Sequence, residues 1–447
     1  AFTSTQIQAF ETRDLVAFTT AQVQAGFTTD QIAALTSTEL AVLTTAQVRA
    51  LTTTQVAAIE TSDLAQMTTG QIAAFTTAQI RSGLTTDQIV ALGTNQVSAI
   101  TTTNIQALST DQIQALETRD LVVLTTGQIA ALTTTQVRTG LTTDQIVALG
   151  TNQVSAITTA GIQALTTDQL QAIETRDLAV LTTGQIAALT TTEVNALTTD
   201  QIVALGTNQV SAITTAGIQA LSTDQIAVLE TRDLQVLKTT QIQALTTTQL
   251  STGVTTTQVQ ALTTTQVAAF TTSQVNAGLT TDQVVALGTN QVSAITTADI
   301  RAFTTDQIQA LETRDLVVLT TGQIAALTTS QVNALTTDQI VALGTNQASA
   351  ITTAGIQALG TDQLQAMETR DLAVLTTGQI AALTTKQVNA LTTDQVVALG
   401  TNQVSAITTA GIQAMSTDQI AVLETRDLAV LKTTQIQALT TVQISTG

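Results

Sequence analysis

The chain repeats itself every eight residues, and that period constrains its fold more than any other feature. From Phe2 onward the sequence divides without remainder into units of the form Leu-Thr-Thr-x-Gln-Ile-x-Ala. The clearest is Leu84-Thr85-Thr86-Asp87-Gln88-Ile89-Val90-Ala91, whose residues define positions 1 to 8. Forty-nine units have eight residues and six have nine, and together they account for every residue from Phe2 to Gly447. Residues 1–447 therefore read as a single continuous repeat array with no linker between domains. A unit this small cannot enclose a core of its own, so it must be stabilised by stacked neighbours, as in a solenoid.

Each octad carries its own helix start. Thr at position 2 followed by Gln at position 5 is a capping box, in which the hydroxyl accepts one unpaired backbone N–H and the amide oxygen accepts another. Position 1 then falls just outside the cap and position 6 one turn inside, so Leu84 and Ile89 are placed as a hydrophobic staple. The substitutes for Gln at position 5, Asp120, Glu39, Glu193 and Asn104, are all expected to reach back as acceptors, with Gly161 an occasional exception. Where position 2 is Gly, as at Gly93, Gly150 and Gly206, the cap weakens by only a few tenths of a kcal/mol relative to Thr. About six residues are left for each helix, half the roughly 12 at which an isolated helix becomes marginal, so only stacking can hold it.

The predicted fold is all-α, a solenoid of very short helices. The alternative is a β-solenoid, suggested by the abundance of Thr, Val and Ile and by short repeats of that kind. Against it, positions 1 and 6 have opposite parity, so a strand would send the two main apolar residues to opposite faces. If two octads make a coil and coils stack at helix-packing distance, the array gives about 28 coils and a rod of about 220–280 Å. The six longer units end in Gly26, Gly83, Gly140, Gly253, Gly278 and Gly447, each expected to take a positive φ at a corner.

A second period lies above the first. The variant Glu-Thr-Arg-Asp-Leu begins at Glu117, Glu174 and Glu230 and again at Glu312, Glu368 and Glu424, with a spacing of 56 or 57 residues within each trio, so seven octads make one block. Leu391 to Gly447 repeats Leu197 to Gly253 almost residue for residue, and in the earlier copy the array continues with Val254. Ala1 fits as position 8 of a preceding unit. The sequence is therefore expected to be a section of a longer array.

Composition removes most familiar chemistry. There is no Cys, His, Trp, Tyr or Pro, which excludes thiol and imidazole nucleophiles, imidazole or thiolate metal sites and disulfides. The net charge of −18, from 32 acids against 14 bases, repels phosphate backbones, and nucleic acid is not an expected partner. No apolar run approaches the roughly 20 residues of a membrane span, so no membrane insertion is expected. No catalytic residue, cofactor or metal site is predicted: repeated octads offer many equivalent faces and no unique cleft, and neither the calcium-binding nonapeptide nor the EF-hand loop occurs.

The clustered charges are the candidate site. Glu117, Arg119 and Asp120, Glu174, Arg176 and Asp177, and Glu230, Arg232 and Asp233 read first as exposed pairs contributing ~0–1 kcal/mol each. The functional alternative is a stripe of lateral contacts between neighbouring rods. Rows of Thr at positions 2 and 3 also present a hydroxyl lattice that a flat array would offer to ice or carbohydrate.

Two resemblances follow from these motifs. Leu279 to Leu287, Leu-Thr-Thr-Asp-Gln-Val-Val-Ala-Leu, resembles the opening of the first helix in transcription activator-like effector repeats, but those repeats are longer, contain Pro and use a base-reading loop. The whole array looks like the Thr-Gln-Ile/Val-rich repeat regions of very large bacterial surface proteins, often labelled as adhesins or haem utilisation or adhesion proteins. That likeness implies secretion and a surface or matrix role without supplying a ligand; haem is disfavoured with no His, Cys or Tyr and three Met. The expected function is a non-enzymatic extracellular or cell-surface structural protein that forms a rod, fibre or sheath with itself as partner. An adhesin stalk or a surface- or ice-binding module is the alternative.

Overall fold

In a computed structural model describing residues 2–446, the chain is a succession of helices of four to seven residues, and the described residues contain no strand. The all-α solenoid is the observed class and the β-solenoid is not. A typical unit holds its helix at Thr86–Ala91, capped by Thr85 in extended conformation. Gln88 N–H donates to Thr85 Oγ1 at 3.2 Å, while Thr85 N–H donates to Gln88 Oε1 at 2.9 Å, which is the predicted box. Leu84 and Ile89 are both buried, at 5% and 1% exposure, and positions 1 and 6 supply the core along the array.

The chain forms two compact units, residues 1–221 and 222–447, and octads run through both. Within each unit, from its fourth octad on, each helix packs on the helix three octads earlier: Thr110–Ala115 against Thr86–Ala91, and Thr329–Ala334 against Thr305–Ala310. A coil is therefore a triangle of three octads, where the length estimate from sequence rested on two. The 27 octads of the first unit make nine coils, about 70–90 Å at ordinary helix spacing. Two octads cannot close a coil here because positions 1 and 2 turn the chain in extended conformation (Leu92 φ −66°, ψ 139°) without reversing it.

The buried Gln at position 5 links the coils. Beyond closing its own cap, Gln88 donates through Nε2 to the carbonyl of Val56 at 2.9 Å and of Ile59 at 2.8 Å. These carbonyls flank the corner one coil below. Val56 lies in the last turn of one helix and Ile59 at position 1 of the next, so one amide serves the start of one helix and the end of another. Gln145 does the same to Ile113 and Leu116, each at 2.8 Å. Residues at position 7 add an outer bond to the coil above, as when Gln114 Nε2 donates to the carbonyl of Thr139 at 2.8 Å.

The nine-residue units correct another expectation. No glycine among the described residues has a positive φ, and Gly447 lies outside them. The extra residue is absorbed inside the helix as a π turn at Gln79–Gly83, Gln136–Gly140, Gln249–Gly253 and Gln274–Gly278, where Leu84 N–H reaches back five residues to Gln79 O at 2.9 Å. Glycine is needed there for close approach: a Cβ on Gly140 would lie 3.1 Å from Ile113 Cγ2, in the coil beneath. Gly26 has nothing within 4 Å of that position.

Candidate functional site

The Glu-Thr-Arg-Asp units depart from the common corner in every respect that matters for chemistry. Their helices span four residues, as at Thr118–Leu121, or five, at Thr231–Gln235, and the first of these begins after Glu117, whose side chain makes no cap bond. Asp120, a methylene shorter than Gln, does not reach back to the cap as expected. Asn104 also makes no return bond; its Nδ2 donates downward to Phe75 O at 2.8 Å. Glu39 does reach back, accepting from Thr36 N–H at 2.7 Å, and Glu193 does likewise from Thr190 N–H at 2.6 Å. Gly161 has no side chain to reach with, and a Cβ there would meet Ile157 Cγ2 at 2.8 Å.

Glu and Arg pair within each unit. Arg119 Nε lies 2.6 Å from Glu117 Oε2, Arg176 Nε 2.8 Å from Glu174 Oε2, and Arg232 Nε 2.5 Å from Glu230 Oε2. The arginines are exposed and the glutamates partly so.

The aspartates are different, and the exposed-pair reading is wrong for them. Asp120 is 0% exposed, and Asp177 and Asp233 are 1% exposed. Neither carboxylate oxygen of Asp120, nor Oδ1 of Asp177 or Asp233, has a hydrogen-bond partner. Arg119 Nε approaches Asp120 Oδ2 only to 3.6 Å. Burial pushes the carboxyl groups of Asp120, Asp233, Asp315 and Asp371 above their ordinary range, with the neighbouring arginine opposing the shift and the neighbouring glutamate adding to it.

The three-octad coil also bears on the expected stripe. Units seven octads apart are two coils and one side apart, so the clusters at Glu117 and Glu174 lie on different sides of the first unit's triangle. No straight line joins them, and their buried aspartates cannot touch a neighbouring rod.

Sequence reasoning missed what lies beneath these clusters. Each of the six units from Glu117 onward is preceded three octads earlier by Leu-Gly-Thr-Asn-Gln, beginning at Leu92, Leu149, Leu205, Leu287, Leu343 and Leu399. Where both members lie in one compact unit, that spacing is a stacking relation of the three-octad coil: the helix of Thr118–Leu121 rests on that of Thr94–Ser98. The signal was present as a recurring pair of variants 24 residues apart. Above the cluster, an open depression is lined by Glu117, Arg119, Thr142, Asp144 and Gln145. Among the described residues no three acidic side chains gather as a metal site, and no helix is long and apolar enough to cross a membrane.

Comparison with known proteins agrees on the repeat. No curated protein matches the chain. Among solved structures, the leucine-rich repeat-containing protein LegL7 from Legionella pneumophila is similar at 12% identity over 57% of this chain and 78% of that one, with a TM-score of 0.14. A family model described as the ALTTAQ repeat matches fourteen overlapping segments that span residues 1–446 except 152–169 and 346–363. On that coverage the chain belongs to the ALTTAQ repeat family.

Proposed function

We propose that the protein is a non-enzymatic structural repeat protein that works outside a cell or at its surface as a rod, fibre or sheath, with copies of itself as partners. The observation that supports this reading is the glutamine clasp. Most octads present an amide donor downward and carbonyl acceptors upward, so stacking can extend by the same chemistry. Quasi-one-dimensional arrays of this kind set distance and stiffness. The absence of residue types for common nucleophiles and metal sites, and the many equivalent faces of the octads, support a structural role over a catalytic one.

Electron cryomicroscopy of the purified chain across a concentration series tests the reading. Rods of uniform width, or fibres whose length grows with concentration, are the expected result; compact globular particles at every concentration overturn it. A surface-binding role is the second reading, favoured by exposed threonines such as Thr85 and Thr86 that recur on every coil. Saturable binding to ice or carbohydrate, lost on changing one row of threonines, would favour it.

A further inference from the structure

We propose that the buried aspartate of the Glu-Thr-Arg-Asp units is a proton-operated clasp: protonated, it donates a hydrogen bond to the corner of the coil beneath, and ionised, it releases that corner. The argument rests on replacement of a donor by an acceptor in a closed place. At a normal corner the Gln amide donates to two carbonyls below. By the same register the corner beneath Asp120 presents the carbonyls of Ile89 and Leu92, and no side chain donates to either. The carboxylate is buried with both oxygens unpartnered, at the octad position whose side chain supplies the donor in an ordinary corner. Buried acceptors on both sides with no hydrogen between them are unfavourable, and one proton from solvent supplies the missing bond.

Asn104 shows that the reach is sufficient. Its side chain has the shape of a protonated Asp at the same position of the octad, and Nδ2 donates to Phe75 O, the position 1 carbonyl of the corner below, at 2.8 Å. Asp63 supplies the contrast: it rests on a coil without the Gly-Thr-Asn unit and accepts a bond from Ser37 N–H. The arrangement recurs at Asp315 and Asp371, both at most 1% exposed and with neither oxygen partnered.

Burial favours the proton on Asp120, and Glu117 adds to that. Arg119 opposes it, but is already paired with Glu117. Of the two octads that form the corner below, residues 92–99 carry no charge and residues 84–91 bring Asp87; the octad above brings Asp144 and the preceding octad Asp111, while residues 124–131 bring none. The same pattern surrounds Asp315, with Asp338 above and Asp306 before it.

The sign of the pH dependence follows. An acid whose folded pKa is raised binds its proton more tightly in the folded chain, so its stabilisation is full below the unfolded value near 4 and is lost as pH rises through the folded value. The test is urea unfolding of the full chain between about pH 4 and 7, compared with the threefold variant D120N, D315N and D371N. The wild-type midpoint should rise on acidification, and the variant should hold near the acid wild-type midpoint with a flattened slope. A variant that keeps the full wild-type slope overturns the proposal by assigning the response to surface carboxylates. Should the variant not fold, carbon-13 NMR of carboxyl-labelled aspartate in the wild type decides: a buried set titrating above the rest supports the clasp, and one set titrating together overturns it. Stabilisation at neutral pH by calcium, without an acid response, would place a cation rather than a proton in the gap and also overturn it.

Discussion

Two neighbouring corners of the first unit, one coil apart on the same side, show how this fold is held and where it is weak. At the upper corner Gln145 accepts from Thr142 N–H at 2.9 Å and donates to the carbonyls of Ile113 and Leu116. At the lower corner Asp120 makes neither kind of bond. Leu116 opens the unit that contains Asp120, so this unit is clasped from above while it clasps nothing below. Apolar burial is the same at both, with Ile146 and Leu121 each 1% exposed. The difference teaches that the core alone does not set the strength of a junction between coils; one amide per octad does.

The sharpest test removes that amide. Gln145→Leu keeps the volume and leaves Thr142 N–H and two corner carbonyls short of a partner, each worth about 1–3 kcal/mol when buried. A total loss of about 3 kcal/mol is expected, concentrated in the adjoining coils because repeat arrays couple nearest neighbours. Hydrogen exchange should show protection lost around residues 108–148 and retained in distant coils; a uniform loss would mean the clasp is not local.

Spacing between the coils is the next variable. Gly140→Ala puts a methyl 3.1 Å from Ile113 Cγ2 and 3.2 Å from its Cβ, beside the same upper corner. Overpacking of this kind costs about 1–3 kcal/mol. Gly26→Ala meets nothing within 4 Å and should leave the urea midpoint unchanged or slightly raised. Equal effects of the two substitutions would show that the coils can separate freely, and that donor chemistry does not depend on their approach.

How much of this the sequence disclosed depends on whether the signal was local. The box formed by Thr85 and Gln88 spans three residues, and both its bonds were legible from residue type and spacing. The second job of Gln88, donating to Val56 and Ile59, joins residues about 30 apart and depends on how many octads close a coil. That number is set by the turn at positions 1 and 2, which periodicity leaves open. The same gap hid the meaning of Asp120: it looked like a substitute acceptor because the missing donor was recognisable only with the coil below in place. At Gly140 the glycine was legible but its reason was not, because close approach and positive φ select the same residue.

Installing the missing donor reverses the comparison. Asp120→Gln should close the cap of Glu117 and reach Ile89 and Leu92, raising stability by about 1 kcal/mol at neutral pH. Thermal or urea unfolding checks the sign; destabilisation would mean that the shorter helix of this unit cannot seat a full-length amide.

The smallest effect is expected from the charged pair that makes these units conspicuous in the sequence. Arg119 is 65% exposed and Glu117 41%, so water screens their 2.6 Å contact. Arg119→Ala should therefore cost ~0–1 kcal/mol, falling further in high salt. Its informative consequence lies one residue away. Arg119 is the largest opposing influence on the proton affinity of Asp120, so its removal should move that carboxyl further upward and extend the acid-stabilised range to higher pH. A stability loss well above 1 kcal/mol with no such extension would assign the arginine a packing role and leave the buried carboxylate governed by burial alone.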